Sequence, residues 1–486
     1  MKNHKQRLRY VLLSSATVLV VLLGVIVGVT VFHAQTGAQA AGLDNHTTGS
    51  AIDDQLTEVT PMHPMYEMAV TMAGQANQAQ VACLASPKPP LCYSPQQLRQ
   101  AYGIAPLLQA GVTGKGRIIT IIDAFQAPTI RGDLHLFDQL FGLKDPQLNI
   151  MAPFGLTPFN AQDPIHKGFA GEITLDVEWA HAIAPDATIN LVLANPKNKT
   201  IQGQLTALLQ ATNFAVTHNI GSVISQSFGT SEVCLGTKFL QAAHEIFRKA
   251  RAQQQTVFAS AGDSGAGTIQ CNANGKPVTL AQGVNYPASD PLVTSVGGTT
   301  LLATKAGNYL REVAWNESAK GAGATGGGIS KVFALPNFQQ NIVKSKMRGA
   351  SDIALVADPL TGVPIVTSSL MPGKTVVIPI GGTSVGAPVA AGMTALLDQA
   401  MGMRTGFLNT AFYRLLPNAA YAQAFHDIRT GNNTFVFQAQ DRRIVTVPGF
   451  KTAPGWDAPT GLGTPNVANL AKFLPKLIKA NDGATL

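Results

Sequence analysis

Apolar and polar positions change their spacing several times along the 486-residue chain. Val11 to Phe32 is almost unbroken apolar sequence. Residues 41 to about 90 are polar, contain Met, Gln and Pro, are weakly periodic, and end in Ser86-Pro87-Lys88-Pro89-Pro90. Such a stretch reads as a stalk or short pro-segment rather than a packed domain. From Tyr93 the pattern changes. Ser94-Pro95-Gln96-Gln97 is a capped helix start. Arg117 to Ile122 is a continuous β-branched run, the mark of a buried strand. Further strands are expected at Ala187–Leu193, Ser222–Gln226, Thr256–Ser260 and Leu292–Val296, with helices at Ile201–Thr217 and Lys238–Gln254 between them. Strand–helix alternation predicts an α/β fold whose mostly parallel sheet is covered on both faces. Its active site is expected at the carboxyl ends of the strands. Gly321 to Gly328 reads as a loop where backbone can approach a ligand.

The leader adds a destination. Lys2, Lys5, Arg7 and Arg9 precede the apolar run, and Ala38-Gln39-Ala40 follows it as a small-x-small cleavage site. The run is also long enough to span a bilayer. Residues 1–40 are therefore a signal peptide or a membrane anchor; the cleavage site favours secretion, and anchoring by residues 10–32 stays open. The formal net charge is +8, four of it in the leader, and no basic stripe follows. No nucleic-acid partner is expected. Hydrophobic residues make up 45% and charged residues 13%, which argues for a large core and against disorder. The four cysteines, Cys83, Cys92, Cys234 and Cys271, form no CxxC and in an exported chain point to disulfides. Of three possible pairings, proximity favours Cys83–Cys92 and Cys234–Cys271.

Four segments carry candidate chemistry. In Ile380-Gly381-Gly382-Thr383-Ser384-Val385-Gly386-Ala387-Pro388 an apolar stretch from Pro364 ends in two glycines, and a small-residue helix follows. Pro388 suits the first turn of that helix. Ser384 then sits near a positive helix end, where a nucleophile and its developing charge are stabilised, although serine is also a common N-cap. In Gly171-Glu172-Ile173-Thr174-Leu175-Asp176, a helix puts Glu172 and Asp176 on one face at i and i+4. Those two repel, and a purely structural helix pairs them only where both face water. Ser260-Ala261-Gly262-Asp263-Ser264-Gly265 follows a strand at its carboxyl end and doubles as an ordinary Asp/Gly turn. Ser225-Gln226-Ser227-Phe228-Gly229 is another polar strand end, able to offer backbone groups to an extended substrate.

Together, in this order and spacing, these segments resemble the sedolisins, the serine-carboxyl peptidases. The resemblance runs from about Tyr93 to Leu474. It implies a subtilisin-like three-layer fold with a mostly parallel central sheet, and a peptidase domain over residues 91–475, leaving 476–486 as a tail. It implies that Ser384 is the nucleophile, Glu172 its general base, Asp176 the support for Glu172, and Asp263 the lining of the oxyanion hole. The physics fits acid. Histidine is protonated at about pH 3–4, whereas a glutamate with a pKa of about 4.3 is not fully so. Asp263 must carry a proton to donate to an oxyanion, as it does in acid or when burial raises its pKa. Glu172 and Asp176 should titrate as a coupled pair.

The nearest competitor is a neutral subtilisin-like protease, because Ile121-Ile122-Asp123 resembles the strand carrying the subtilisin aspartate. No His-Gly-Thr-His follows, and His181 lies in an apolar helical stretch as a packed or capping histidine. Asp123 is instead expected to extend the carboxylate network. A catalytically silent exported binding module is the other alternative. The segments Phe425–Gly431 and Ala453–Gly463 resemble the family's calcium loops. They imply one structural Ca2+ held by the carboxylates of Asp427 and Asp457 and the carbonyls of Ile428, Ala453 and Gly455, an oxygen shell suited to a hard cation. Ala453 stands where the family usually has glycine. The insert Asn432–Lys451 is expected only to lengthen the connection. Only about fifty residues separate the leader from Tyr93, fewer than the family's long pro-domain needs. A protein or peptide substrate and a monomeric state are expected.

Overall fold

A computed structural model of the chain describes residues 81–85 and 91–479, apart from 199, 273–275, 372 and 440–441, together with the backbone at 65–66 and 71–72. The leader, most of the 41–90 segment and the tail from 480 lie outside the described residues. Among the described residues, no helix is long and apolar enough to cross a membrane.

The domain is built on an eight-stranded sheet. Its strands are β1 (Ile118–Ala124), β2 (Leu148–Met151), β3 (Thr188–Ala194), β4 (Val223–Gln226), β5 (Thr256–Ser260), β6 (Thr294–Ala303), β7 (Tyr309–Ala314) and β8 (Ile353–Val356). The order is β7-β6-β5-β4-β1-β3-β2, with β8 also paired to β6. Every pairing is parallel except β6 with β7. The central strand β1 has neighbours on both sides and is buried from Ile119 onward, so it reads as a continuous apolar run rather than an alternating one. The expected end of β6 at Val296 is corrected to Ala303. Gly297-Gly298 lies inside this strand, and a Cβ at Gly298 would stand 2.5 Å from that of Ala357, so these glycines let the chain beyond β8 approach.

Crossover helices cover both faces. Helices α1 (Ile130–Phe141), α2 (Pro164–Ile183), α3 (Ile201–Thr217) and α4 (Thr237–Ala252) alternate with the strands, and α5 (Gly386–Met401) follows later. The larger core cluster joins the α1, α2 and α5 side of the sheet, and a second joins α3 and α4. This is the three-layer, subtilisin-like arrangement. The helix at Pro95–Ala101 begins with the expected capping box, Ser94 with Gln97. The apolar stretch up to Ile380 is an antiparallel pair, β9 (Thr361–Thr367) and β10 (Val376–Gly381). Short strands at 65–66 and 71–72 pair antiparallel with β10. Both expected disulfides form, Cys83–Cys92 and Cys234–Cys271. His181 is a packed histidine, fully buried, with Nε2 3.0 Å from Asp138 Oδ1.

Candidate active site

Parallel register builds one rim of the site. Strands β5, β4 and β1 are neighbours, so their carboxyl ends emerge side by side. Those ends deliver Asp263 just beyond β5, Ser227 just beyond β4, and Asp123 as the penultimate residue of β1.

The carboxylate pair comes from α2. Its N-terminus is capped by the Asp163 side chain, which accepts from the Ile165 and His166 amides. From Phe169 to Ile183 every residue is buried, so this helix shows no polar stripe. Glu172 and Asp176 are both 0% exposed, which rules out the solvated helix edge as their explanation. The nucleophile candidate reaches them because α2 and α5 lie in close contact. Gly392 of α5 faces Ile183 and the Ala180 carbonyl of α2, and a Cβ there would stand 2.6 Å from Ile183 Cβ. Strand β10 ends at Gly381, a 3₁₀ turn spans Thr383–Val385, and α5 begins at Gly386. Ser384 thus precedes the positive end of a buried helix. It too is fully buried in this structure.

The electrostatics of the cluster follow from burial. Loss of water raises the Glu172 pKa well above the usual range, and the charges of Asp176, Asp123 and Asp263 push it further up. The Ser384 hydroxyl works the other way, by hydrogen bonding to the ionised form. Burial also raises Asp176, opposed by Ser227, whose Oγ donates to Asp176 Oδ1 at 2.8 Å. Asp123 is raised by burial and then by the Asp176 charge. The ordinary glutamate pKa used in the sequence argument therefore does not apply here. Three buried carboxyls repel one another, and the group titrates as a unit.

Asp263 is tied to the nucleophile turn. Its Oδ1 accepts from the Thr383 amide at 2.8 Å and the Thr383 hydroxyl at 2.7 Å. The other oxygen, Oδ2, is buried with no hydrogen-bond partner and lies beside Gly382. A Cβ at Gly382, whose φ is +105°, would stand 2.6 Å from that oxygen, so only glycine admits it. The residue as a whole is half-buried, but its carboxyl is shielded, and burial lifts its pKa to about 6 against the two Thr383 bonds.

Ser227 is the residue the sequence did not single out for this role. The strand end around it suggested backbone groups for a substrate. Its hydroxyl is instead a partner of Asp176, a contact visible only once β4 is placed beside β1 and under α2.

A second corner gathers the two C-terminal loops. The Gly455 amide donates to Asp427 Oδ1 at 3.1 Å, and Ala453 N donates to Asp457 Oδ2 at 3.0 Å. Asp457 Oδ1 accepts from Thr460 N and Oγ1, and Arg429 pairs with Asp427 Oδ2 at 2.7 Å. Asp427, Ala453, Gly455 and Asp457 line one cavity, whereas Ile428 is buried behind it. Among the described residues, no cluster of three or more His, Cys, Asp or Glu side chains is placed to hold a metal.

A doubly covered parallel sheet with a serine turn and buried carboxyls at its carboxyl rim defines a subtilisin-like protein, and the comparisons agree. The Subtilase family profile matches residues 167–438. Kumamolisin of Bacillus sp. (strain MN-32) is 36% identical over 400 residues, covering 80% of this chain and 65% of kumamolisin. Sedolisin of Pseudomonas sp. (strain 101) is 35% identical over 273 residues, covering 55% of this chain and 43% of sedolisin. The chain thus spans less than two thirds of the length of either curated relative. A solved Pseudomonas sedolisin, described as a serine-carboxyl proteinase complexed with two molecules of pseudo-iodotyrostatin, matches with a TM-score of 0.66 at 30% identity, covering 79% of this chain and 98% of that one. The chain belongs to the sedolisin family.

Proposed function

We propose that the chain is an exported, acid-active serine endopeptidase. The observation that carries this reading is the buried cluster at the serine turn: Glu172, Asp176, Asp123 and Ser384 are all fully buried, and Ser227 Oγ bridges Asp176 Oδ1 at 2.8 Å and the Ser384 carbonyl at 3.3 Å. In this reading Ser384 Oγ attacks the peptide carbonyl while its proton passes to Glu172. The coupled carboxyls ionise stepwise, and in this reading Glu172, whose charged form the Ser384 hydroxyl favours, is the member that gives up its proton while Asp176 and Asp123 keep theirs. Asp263, protonated on Oδ2, donates to the oxyanion of the tetrahedral intermediate. Collapse of that intermediate breaks the C–N bond, and Glu172 returns the proton to the leaving amine. Water then attacks the acyl-enzyme by the same route. Ionised Asp263 repels the oxyanion, so activity is expected to fall as pH rises through about 6.

Export rests on the leader pattern and is supported by the two disulfides. The carboxylates and carbonyls at the Asp427–Asp457 corner are oxygen ligands of the kind calcium takes, and the carboxylates now accept from backbone amides. The carboxylates of Asp427 and Asp457 and the carbonyls of Ala453 and Gly455 would hold the ion, which would tie the two loops together; Ile428, whose carbonyl was expected to join them, does not line that cavity. Arg429, paired with Asp427 Oδ2, would have to yield that oxygen to the ion. The test is digestion of a protein substrate at about pH 3–4 by the purified chain, beside Ser384→Ala. Acid activity lost in the variant supports the proposal; a folded, calcium-supplied chain with no activity supports the silent binding module instead. Internal fragments in the digest distinguish an endopeptidase from one that trims chain ends.

A further inference from the structure

The insert Asn432–Lys451 does more than lengthen a connection. Its outer part is a hairpin of two strands, β11 (Phe435–Gln438) and β12 (Ile444–Val447). Its neck runs into the segment bearing Asp263. Asn433, at the neck, is fully buried and bonded at every polar atom. Its backbone carbonyl accepts from the Ala266 amide at 2.8 Å. Its Nδ2 donates to the Gly327 carbonyl at 2.9 Å, and its Oδ1 accepts from the Phe450 amide at 2.8 Å. The Gly-rich segment closes the triangle. Ala324 N donates to the Asp263 carbonyl at 3.0 Å, its own carbonyl accepts from Gly265 N at 2.9 Å, and its side chain clusters with Phe435 and Val447. One residue thus joins three stretches that are distant in sequence: its backbone carbonyl holds the Asp263 segment at Ala266, and its side chain holds the Gly-rich segment at Gly327 and the far side of the neck at Phe450.

We propose that Asn433 is the positioning residue for the Asp263 carboxyl: it locks the Asp263 loop to the Gly-rich segment so that Oδ2 is held beside the Gly382–Ser384 turn. The inference rests on the reading of Asp263 as oxyanion donor. Asn433 touches no reacting atom. It acts through the loop, and displacing a catalytic group by about 1 Å costs up to about 100-fold in rate. An error in the oxyanion donor falls on the transition state, so kcat drops and KM stays.

The experiment is steady-state kinetics across pH on the parent, Asn433→Ala, Asp263→Asn and the double variant. Asn433→Ala should lower kcat by about 10-fold or more with KM within about 2-fold. Its alkaline limb should move from that of the parent, a change that a smaller folded fraction does not produce. In the Asp263→Asn background Asn433→Ala should cost less than about 3-fold, because coupled residues are not additive. Should the alanine variant fail to fold, Asn433→Asp keeps the Oδ1 acceptor and can donate to Gly327 only while its carboxyl is protonated, so it should approach the parent in acid and lose kcat as that carboxyl ionises; a variant that matches the parent at every pH overturns the inference. Replacing Ala439–Arg443 by Asn-Gly shortens the tip, leaves the neck intact, and should leave the kinetics unchanged. Full additivity with Asp263→Asn, an unmoved limb in a folded variant, or an equal loss on shortening the tip each overturn the inference alone. An inactive, folded parent overturns the peptidase reading with it.

Discussion

Asp263→Asn separates the proton on this carboxyl from its shape. The amide oxygen takes over from Oδ1 as acceptor for the two Thr383 donors, and the NH2 takes the place of the unpartnered Oδ2. The side chain then stays uncharged at every pH. In the parent, burial lifts the pKa from the ordinary 3.8 to about 6. The folded state therefore holds a proton that the unfolded chain releases. The resulting stability is fully present below 3.8 and is lost as pH rises through about 6. At 1.36 kcal/mol per pKa unit the loss is about 3 kcal/mol. Asparagine should match the parent in urea at about pH 3 and exceed it by about 3 kcal/mol at about pH 7. In the same variant the fall of kcat/KM through pH 6 should shift upward, since the amide donates to the oxyanion regardless of pH. Urea titrations at the two pH values, with pH–rate profiles on one peptide, read both effects. A variant no more stable than the parent at neutral pH would show that Asp263 ionises without cost. An unmoved alkaline limb would remove it from the oxyanion site.

Other changes test other parts of the site. Glu172→Gln should lower kcat by about 10²–10⁴-fold while the fold persists, as read by single-turnover kinetics and circular dichroism. Ser227→Ala strips a buried donor from Asp176 and should cost about 1–3 kcal/mol in urea unfolding, with a loss in kcat and little change in KM. Arg348 and Asp352 form a fully buried ion pair, so Arg348→Ala leaves a buried carboxylate unpaired and should cost about 3–5 kcal/mol, measured by thermal unfolding. Chelation at fixed pH should lower the melting temperature by several degrees, calcium should restore it, and Asp457→Asn should abolish the response.

Much of the fold was legible because parallel strands buried on both faces leave unbroken β-branched runs; the expected strand Thr256–Ser260 and helix Ile201–Thr217 match the structure residue for residue. Strand β6 was cut short because a glycine pair that admits a neighbouring chain looks the same as one that ends a strand. Ser384, Glu172, Asp176 and Asp263 were legible as candidates because each lies in a short, ordered pattern. Ser227 was not, since its meaning depends on which strand neighbours β1. The role of Asn433 was hidden for the same reason. It lies in an insert, and its partners at 266, 327 and 450 are brought together only by the fold. The upward push on Glu172 needed burial and the position of Asp123, neither of which its own helix discloses.

The most direct test is kcat/KM of the purified chain from about pH 3 to about pH 8, with Ser384→Ala in parallel. High activity is expected in acid, with a fall through about 6 as Asp263 ionises and none in the serine variant. A maximum near pH 8, or an alanine variant as active as the parent, would contradict it.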